Sequence, residues 1–299
     1  MFARAHPGRT RLIAALARYA ENRVAAVALT LFLLLALAAF AAPWIAPQNP
    51  YDLAQLDILD ARLPPGSAAA AGELTYRLGT DAQGRDMLSA MLYGLRISLT
   101  VGFAATAGAL ALGLVVGLAS ALAGGSIDAF IMRVADLQLA FPAILIALIL
   151  LAALGPGPGK IVLALIAAQW AYYARAVRGV ALVEREKDYI AAVRLLGLAP
   201  PRILFVHLLP NCLPALIVVA TLQVGAAIAL EATLSFLGVG LPVTQPSLGL
   251  LIANGFQYLL SGKYWISVFP GLLLLTLILA INLVAERLRV LINPRLDGI

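Results

Sequence analysis

Few side chains in this sequence could do chemistry. The 299 residues include two histidines, His6 and His207, and one cysteine, Cys212. A zinc-type site needs more His and Cys ligands than these, and one cysteine cannot form an intrachain disulfide. An intramembrane protease would pair a nucleophile with a base inside the apolar segments, whereas His6 lies in the N-terminal tail and His207 at the edge of such a segment. We therefore predict neither a metal site nor a catalytic site.

The glycine-rich stretch at residues 155–160, GPGPGK, has a superficial likeness to a phosphate-binding loop. It departs from that pattern at both ends, because Leu154 stands at the first glycine position and Ile161 stands where Ser or Thr would bind Mg²⁺. Its composition instead predicts a tight hairpin between two apolar segments. A chain without a nucleotide site must take its energy from another subunit or from an ion gradient.

The elements that must position any functional residue are membrane-spanning helices. Apolar residues make up 62% of the chain, 12% are charged, and the mean hydropathy is +0.95, whereas a soluble domain is roughly half apolar and a quarter charged. About 20 apolar residues cross the hydrocarbon core, and in lipid they must be helical. Six runs are long enough to span, at residues 24–46, 97–122, 137–154, 161–180, 213–237 and 265–284.

The net charge of +6 and the pI of about 9.7 carry a topology signal rather than a nucleic-acid signal. With the N-terminus in the cytoplasm, 15 of the 21 Lys and Arg residues fall on the inner side of the six spans. Such an excess follows the positive-inside rule. The sequence therefore predicts both termini in the cytoplasm and no nucleic-acid partner.

The six spans divide the chain into five segments. We predict an amphipathic cytoplasmic tail at residues 1–23, a first transmembrane helix at 24–46, a periplasmic loop at 47–96, a core of five transmembrane helices at 97–286, and a C-terminal tail at 287–299. The sequence Ala39-Phe40-Ala41 could pass for a signal-peptidase site. The apolar run continues to Ala46, however, and the basic region before it is long, so an uncleaved first span is expected.

A charged loop at residues 184–211 separates the fourth and fifth spans. Tyr189, Ala192, Val193 and Leu196 have the i, i+3, i+4, i+7 spacing of one helical face. Gly197 suits the left-handed conformation of a helix C-terminus. Two prolines at positions 200 and 201 then stop one helix and suit the first turn of the next. The loop is predicted to form a helix, a sharp turn and a second helix, a shape that can fit a cleft on a partner.

The polar stretch before the second span has a second ordered pattern at residues 78–102, LGTDAQGRDMLSAMLYGLRISLTVG. Thr80 and Gln83 have the spacing of a capping box. Met87, Met91 and Leu95 then fall on one apolar helical face leading into the span. The residues alone predict an interfacial lead-in helix here.

Several polar residues fall within or at the edges of the spans. A carboxylate at Glu231 should face protein or a watery cavity, because a charge in hydrocarbon is costly. It is either a pathway or gate residue, or it makes helix-to-helix hydrogen bonds. Gln169 and Gln223 have interhelical bonding as their default role and pathway lining as the alternative. Arg133 and Asp136 are three residues apart and are expected to form an ion pair at the membrane edge.

These patterns together resemble the permeases of binding-protein-dependent ABC importers. The family's cytoplasmic loop reads Glu-Ala-Ala, three residues, Gly, then a later Leu-Pro, and Ala192, Gly197 and the pair at 209–210 fit it, whereas Ala191 stands at the Glu position and Val193 at the second Ala. The stretch from residue 78 is similar to the LGTDxxGRDxLS…YGxRISL signature of the oligopeptide, dipeptide and nickel branch. Residues 231–238, 269–271 and 293–295 also match family segments.

The resemblance implies an all-α polytopic fold with six transmembrane helices, the type I importer transmembrane domain, in the bacterial inner membrane. It implies that ATP and Mg²⁺ are bound by partner subunits and that this chain binds no cofactor. Its partners would be a second homologous permease, two cytoplasmic ATPases, a periplasmic or lipid-anchored solute-binding protein, and membrane lipid. The residues implied to contact an ATPase are Asp188, Tyr189, Ala191, Ala192, Val193, Leu196, Gly197 and Pro210. The periplasmic signature residues are Gly79, Thr80, Asp81, Gly84, Arg85 and Asp86.

Peptides are the expected cargo from the branch resemblance, with nickel or another small solute as the alternative. A different class, a gradient-driven carrier or channel, is compatible with six spans and a buried Glu231. The absence of an evident internal repeat counts against the inverted halves of a secondary transporter. An elaborate cytoplasmic helix-turn-helix, which a self-sufficient carrier does not need, also favours the importer.

Overall fold

The computed structural model describes residues 18–52, 56–72 and 74–292, and helices dominate this part of the chain. Most of the predicted N-terminal tail, the C-terminal motif at 293–295, and His6 lie outside the described residues. The helices are α1 (Arg23–Ile45), α2 (Met87–Ala123), α3 (Gly125–Ala140), α4 (Ala143–Leu154), α5 (Pro158–Arg185), α6 (Asp188–Leu195), α7 (Leu209–Phe236), α8 (Leu248–Phe256) and α9 (Trp265–Ile292). A small antiparallel hairpin, β1 (Ser67–Ala68) and β2 (Thr75–Tyr76), lies between α1 and α2.

The described helices account for most of the predicted spans. Four helical segments are long and apolar enough to cross a membrane, namely Arg23–Ile45, Met87–Ala123, Pro200–Phe236 and Trp265–Ile292, and the bent pair α3 and α4 would be a fifth. The predicted span at 161–180 lies in α5, which has 28 residues. That helix is long enough but less apolar, because it carries Gln169, Arg175 and Arg178.

The predicted span at residues 137–154 is not one continuous helix. The helix breaks after Ala140, and α3 and α4 meet at an angle of 89°. Phe141 has an extended backbone (φ −92°, ψ 140°), and Pro142 precedes the first residue of α4. Proline has no N–H for the helical ladder and pushes the residue before it out of the helical region, so the break has a local cause.

Ion pairs hold α3 against α5. Arg178 donates two hydrogen bonds of 2.5 Å to the carboxylate of Asp128, the bidentate geometry that makes such pairs strong. Asp136 accepts a hydrogen bond from Arg175. The predicted pairing of Asp136 with Arg133 is therefore wrong, because the guanidinium that reaches the carboxylate comes from a neighbouring helix 39 residues along the chain.

Helices α2 and α5 pack closely against each other. A Cβ placed on Gly113 would lie 2.4 Å from the Cβ of Tyr173, and one placed on Gly117 would lie 2.5 Å from the carbonyl oxygen of Ala174. Small residues let helix backbones approach within a membrane. Gly113 and Gly117 therefore serve helix packing within the second span.

The start of α2 differs from the predicted capping box. Asp86 is the N-cap, and its Oδ2 accepts hydrogen bonds from the N–H and the hydroxyl of Ser89, at 2.8 and 2.6 Å. Thr80 lies six residues earlier, where its Oγ1 donates to the carbonyl of Asp60 and accepts from the N–H of Leu63. Because the Thr80 hydroxyl is used in these tertiary contacts, it is not available to start a helix.

We predict that Asp86→Ala lowers the free energy of unfolding by about 1–2 kcal/mol, since an N-cap acceptor for a buried N–H is lost. Asp86→Asn keeps an acceptor oxygen and should lose much less. Denaturant titration of the purified protein in detergent micelles measures both variants. Equal losses in the two variants would show that the side chain does not act as a cap.

Candidate functional site

The loop at residues 184–211 forms the predicted helix, turn and second helix. Helix α6 ends with Leu196 as its C-cap, and Gly197 follows with φ +72°. The N–H of Gly197 donates to the carbonyl of Arg194 at 2.9 Å, and the N–H of Leu198 donates to the carbonyl of Val193 at 3.3 Å. These two bonds are those of a Schellman motif, in which glycine avoids the strain of a left-handed residue.

The next helix begins with an irregular turn. A short α-turn, Pro200–Arg202, is followed by a π-turn at Ile203–Leu208, in which Leu209 donates its N–H to the carbonyl of Leu204. Pro210 follows directly and has no N–H to donate to the carbonyl four residues before it, which favours such a widened turn. The segment then continues as α7, so Pro200–Phe236 is one helical unit of 37 residues.

A carboxylate at the end of α5 holds this loop together. Glu184 accepts hydrogen bonds from Lys187 Nζ and from the hydroxyl of Tyr189, both at 2.6 Å. The Tyr189 hydroxyl also lies 3.5 Å from the carbonyl oxygen of His207, which accepts a hydrogen bond of 2.6 Å from Asn211 Nδ2. Glu184 therefore connects α5, α6 and the helical unit that leads into α7.

The electrostatics of Glu184 and Tyr189 support this bond. Burial would raise the pKa of Glu184, but the hydrogen bonds from Lys187 and Tyr189 more than offset it, and the pKa lies below 4.5. Burial, together with the bond to Glu184, raises the pKa of Tyr189 to about 12. The Tyr189 hydroxyl therefore stays protonated, and the Glu184 carboxylate stays ionised, at neutral pH.

Helix α6 buries one side chain and exposes its tip. Ile190 is fully buried, although it lies outside the predicted apolar face, whose Tyr189 and Val193 are half-buried. Leu195 and Leu196 are 89% and 76% exposed. The other predicted contact residues Asp188, Ala191, Ala192, Gly197 and Pro210 are also exposed.

A second apolar area lies close by in the chain. Phe205 and Val206, in the π-turn, are more than half exposed. Exposed large apolar side chains that cluster in this way mark interaction surfaces. The sequence predicted the loop but did not single out Phe205 and Val206. Their exposure depends on the orientation of the π-turn in the folded protein.

The pathway candidates are not brought together. Glu231 is fully buried and accepts hydrogen bonds from the hydroxyls of Ser98 and Ser235, at 2.9 and 2.8 Å. Ser98 belongs to α2, so the carboxylate joins two helices, which matches the helix-to-helix alternative. Gln223 is half-buried two turns earlier on α7, and Gln169 is buried on α5 with its Oε1 unpaired.

The family signature at residues 79–86 forms one compact turn. Asp81 and Arg85 make a 2.6 Å ion pair with both side chains 1% exposed. Asp81 Oδ1 also accepts the N–H of Gln83 and of Arg85, at 2.8 and 3.0 Å. Arg85 Nη1 donates to the carbonyl of Val243, between α7 and α8, at 3.3 Å. The signature therefore links the start of α2 to the segment between α7 and α8.

The two glycines of the signature allow neighbouring backbone to come close. A Cβ on Gly84 would lie 2.2 Å from the carbonyl oxygen of Asp57, and one on Gly79 would lie 2.6 Å from that of Leu63. Trp265, at the start of α9, donates its Nε1–H to the carbonyl of Thr80 at 3.1 Å. The signature residues therefore have structural contacts with three parts of the chain.

The fold and the loop define a class, the helical membrane subunit that presents a helix-turn-helix at one membrane surface. Residues 87–298 match the family of binding-protein-dependent transport system inner membrane components. Residues 10–65 match the N-terminal transmembrane domain of oligopeptide transport permease C. The chain belongs to the binding-protein-dependent transport system inner membrane component family, and the predicted family is thereby confirmed.

Curated relatives cover nearly the whole chain. A putative peptide transport system permease protein of Brucella abortus is 39% identical over 292 residues, covering 97% of this chain and 94% of the relative. The di/tripeptide transport system permease protein DppC of Pseudomonas aeruginosa is 36% identical, covering 94% and 91%. The dipeptide transport system permease protein DppC of Escherichia coli K12 is 38% identical, covering 93% and 91%.

Solved structures support the same fold. A chain of the MetNI methionine ABC transporter, in an inward-facing conformation, aligns with a TM-score of 0.57 and 22% identity, covering 69% of this chain and 97% of that one. The predicted importer-type helical fold is confirmed, while the described residues give four spans, or five with the bent pair, rather than six.

We predict that Tyr189→Phe lowers the free energy of unfolding by about 1.5–3 kcal/mol, because a hydrogen bond to a charged acceptor is lost. Tyr172→Phe is the matched control, since the Tyr172 side chain is 45% exposed. Denaturant titration compares the two variants. Similar changes in both would contradict the assigned role of the Tyr189 hydroxyl.

The stabilising effect of the Tyr189 hydroxyl should depend on pH in a defined way. Its folded pKa is raised from 10.0 to about 12, so its contribution is complete below pH 10 and is lost as pH rises toward 12. The pKa of Glu184 is lowered, so its contribution is present above pH 4.5 and is lost as pH falls through the folded value. The stability difference between wild type and Tyr189→Phe should be flat between pH 4.5 and 10. A slope within that interval would refute the assignment.

Proposed function

We propose that this chain is a membrane-spanning subunit of an ATP-driven importer of di- or oligopeptides. It pairs with a second homologous permease, and together they form the translocation pathway. Two cytoplasmic ATPase subunits supply the energy, and a periplasmic or lipid-anchored binding protein delivers the peptide. The relatives are named as peptide, dipeptide and di/tripeptide permeases, and these names support the cargo.

The observation that carries the proposal is the rigidly held helix with an exposed apolar tip. Helix α6 has only eight residues, and isolated helices of that length are not stable in water. The Glu184 bonds nevertheless hold it in one orientation, with Leu195 and Leu196 facing outward. A surface with these properties is suited to sit in a groove of an ATPase subunit.

In this proposal ATP and Mg²⁺ are bound by the partner ATPases, and this chain performs no catalysis. Closure of the two ATPases on ATP moves the bound α6 as a rigid body. The motion passes through Glu184 to the end of α5 and through the Pro200–Phe236 unit to the fifth span. ATP shifts the population toward the outward-facing state because the closed ATPases bind it more tightly. Hydrolysis restores the inward-facing state.

The loop must face the cytoplasm for this to work, where the ATPases lie. The excess of Lys and Arg on the same side as the loop supports this orientation, with both termini in the cytoplasm of a bacterial inner-membrane protein. Arg185, Lys187, Arg194 and Arg202 all belong to the loop.

A gradient-driven carrier is the less favoured function. Such a carrier needs an ionisable group that exchanges ions along the pathway. Glu231 is the best candidate, yet its two carboxylate oxygens accept hydrogen bonds from Ser98 and Ser235, and it is fully buried. Its contacts suit a link between helices better than an ion relay.

We predict that Gly197→Val abolishes peptide uptake without lowering the amount of protein in the membrane. Valine is strained at φ +72° and would change the angle between α6 and the segment that follows it. Gly72→Val is the matched control, because Gly72 has φ +76° and, like Gly197, has open space around its Cβ position. It lies on the opposite side of the membrane in the proposed topology.

The same measurement applies to Ala192, which is exposed on α6. Ala192→Glu should abolish uptake by placing a charge on the docking surface, whereas Ala192→Ser should retain it. Uptake of a labelled dipeptide and membrane abundance are measured in the same cells. Wild-type uptake in Gly197→Val or Ala192→Glu would refute the coupling role.

A further inference from the structure

A groove of about 430 Å³ lies between α1 and α9, away from the coupling loop. Ala28 and Ala280 form its floor and are 3% and 1% exposed. The walls are exposed or half-buried apolar side chains of both helices, Val24, Val27, Leu31, Leu275, Leu279 and Leu283. Since both helices are apolar spans, the groove opens toward the lipid.

One end of the groove carries positive charge. Arg23 lines it at the first residue of α1. Arg287 follows Leu283 by four residues and so lies on the same side of α9. Its Nη2 donates a hydrogen bond of 2.5 Å to the carbonyl of Arg18, which places the end of α9 beside the start of α1.

These two guanidinium groups are not neutralised within the described part of the chain. Neither Arg23 nor Arg287 forms an ion pair with a described carboxylate, and Nε of Arg287 is buried without a hydrogen-bond partner. The carboxylate Oε2 of the nearby Glu286 lies 3.6 Å from Nη1 of Arg289 instead. Because the charge of both groups is left unpaired by the described carboxylates, an anion at the accessible side of this pair would be stabilising.

We propose that the groove binds an anionic phospholipid. One acyl chain lies along Ala28 and Ala280, and the phosphodiester accepts hydrogen bonds from Arg23 and Arg287. Basic pockets between transmembrane helices on the cytoplasmic side recognise anionic headgroups, and the guanidinium fork matches the geometry of a phosphate. In the proposed topology this end of the groove faces the cytoplasmic leaflet.

The dimensions agree with a single acyl chain. The part of α1 that lines the groove runs from Arg23 to Leu31, about 12 Å at 1.5 Å per residue. The groove therefore holds the portion of the acyl chain that lies nearest the headgroup. An apolar helix of a partner subunit could cover the same walls, but it would leave the two guanidinium groups without an anion, so the charges favour the lipid.

The test uses the purified full-length chain with the subunits that co-purify with it. Native mass spectrometry and thermal unfolding compare added phosphatidylglycerol, phosphatidylcholine and inorganic phosphate. We expect phosphatidylglycerol to be retained about tenfold better than phosphatidylcholine, and inorganic phosphate to have no stabilising effect.

Charge variants separate the headgroup contact from the acyl contact. Arg23→Gln and Arg287→Gln should each reduce the preference for phosphatidylglycerol about fivefold. Arg289→Gln is the matched control, because Arg289 carries the same charge on the same helix but points away from the groove. Leu279→Trp fills the groove at an exposed position and should reduce the binding of both lipids, and it does so without removing a buried contact.

Three results would overturn the proposal. The first is a phosphatidylglycerol preference that survives both Arg23→Gln and Leu279→Trp, since these variants do not depend on the buried contacts of Arg287. The second is a stabilising effect of inorganic phosphate equal to that of phosphatidylglycerol, which would assign the site to the free anion. The third is that the complex containing the second permease retains no phosphatidylglycerol while the chain purified without it does, which would assign the groove to a protein interface.

Discussion

The hydrogen-bonded carboxylate of Glu184 is the interaction on which the proposed coupling depends. Helix α6 is too short to hold its own shape, and Ile190 is the single described residue of that helix that is buried. The bond from Tyr189 to Glu184 therefore fixes its orientation relative to α5. Without this bond, a force applied at Leu195 would bend the loop and would not move the spans.

In the proposed coupling, packed elements form a continuous path for the force beyond the loop. Helix α5 packs on α2 through Gly113 and Gly117 at backbone distance. At its other end α2 begins at the signature turn, whose Arg85 bonds to the connection before α8 and whose Thr80 carbonyl bonds to Trp265. Close-packed interiors transmit displacement as rigid units. The family signature thus connects the start of α2 with the segment before α8 and with the start of α9.

The parts of this structure that follow local rules could be predicted from the sequence. The apolar runs gave most of the spans, and Gly197 and the prolines after it predicted the end of α6. The failures come from contacts between distant residues. Thr80 has a capping spacing, but tertiary bonds use its hydroxyl, and Asp136 has a cation three residues away but pairs with Arg175 on another helix. The break at Pro142 had a local signal that the long apolar run concealed. Glu184 could not be recognised as the connecting residue, since its partners become neighbours only after the loop folds.

The central claim is that α6 and the end of α5 move as one body. Spin labels at Arg194 and Val183, both exposed, report the distance between them in the assembled transporter, and the native Cys212 is buried. Pulsed electron resonance with and without ATP measures this distance in both states. We predict that the distance between the two labels is the same with and without ATP in a transporter that remains active. A shift of several ångström on ATP binding would contradict it, because the loop would then bend where it is said to be rigid.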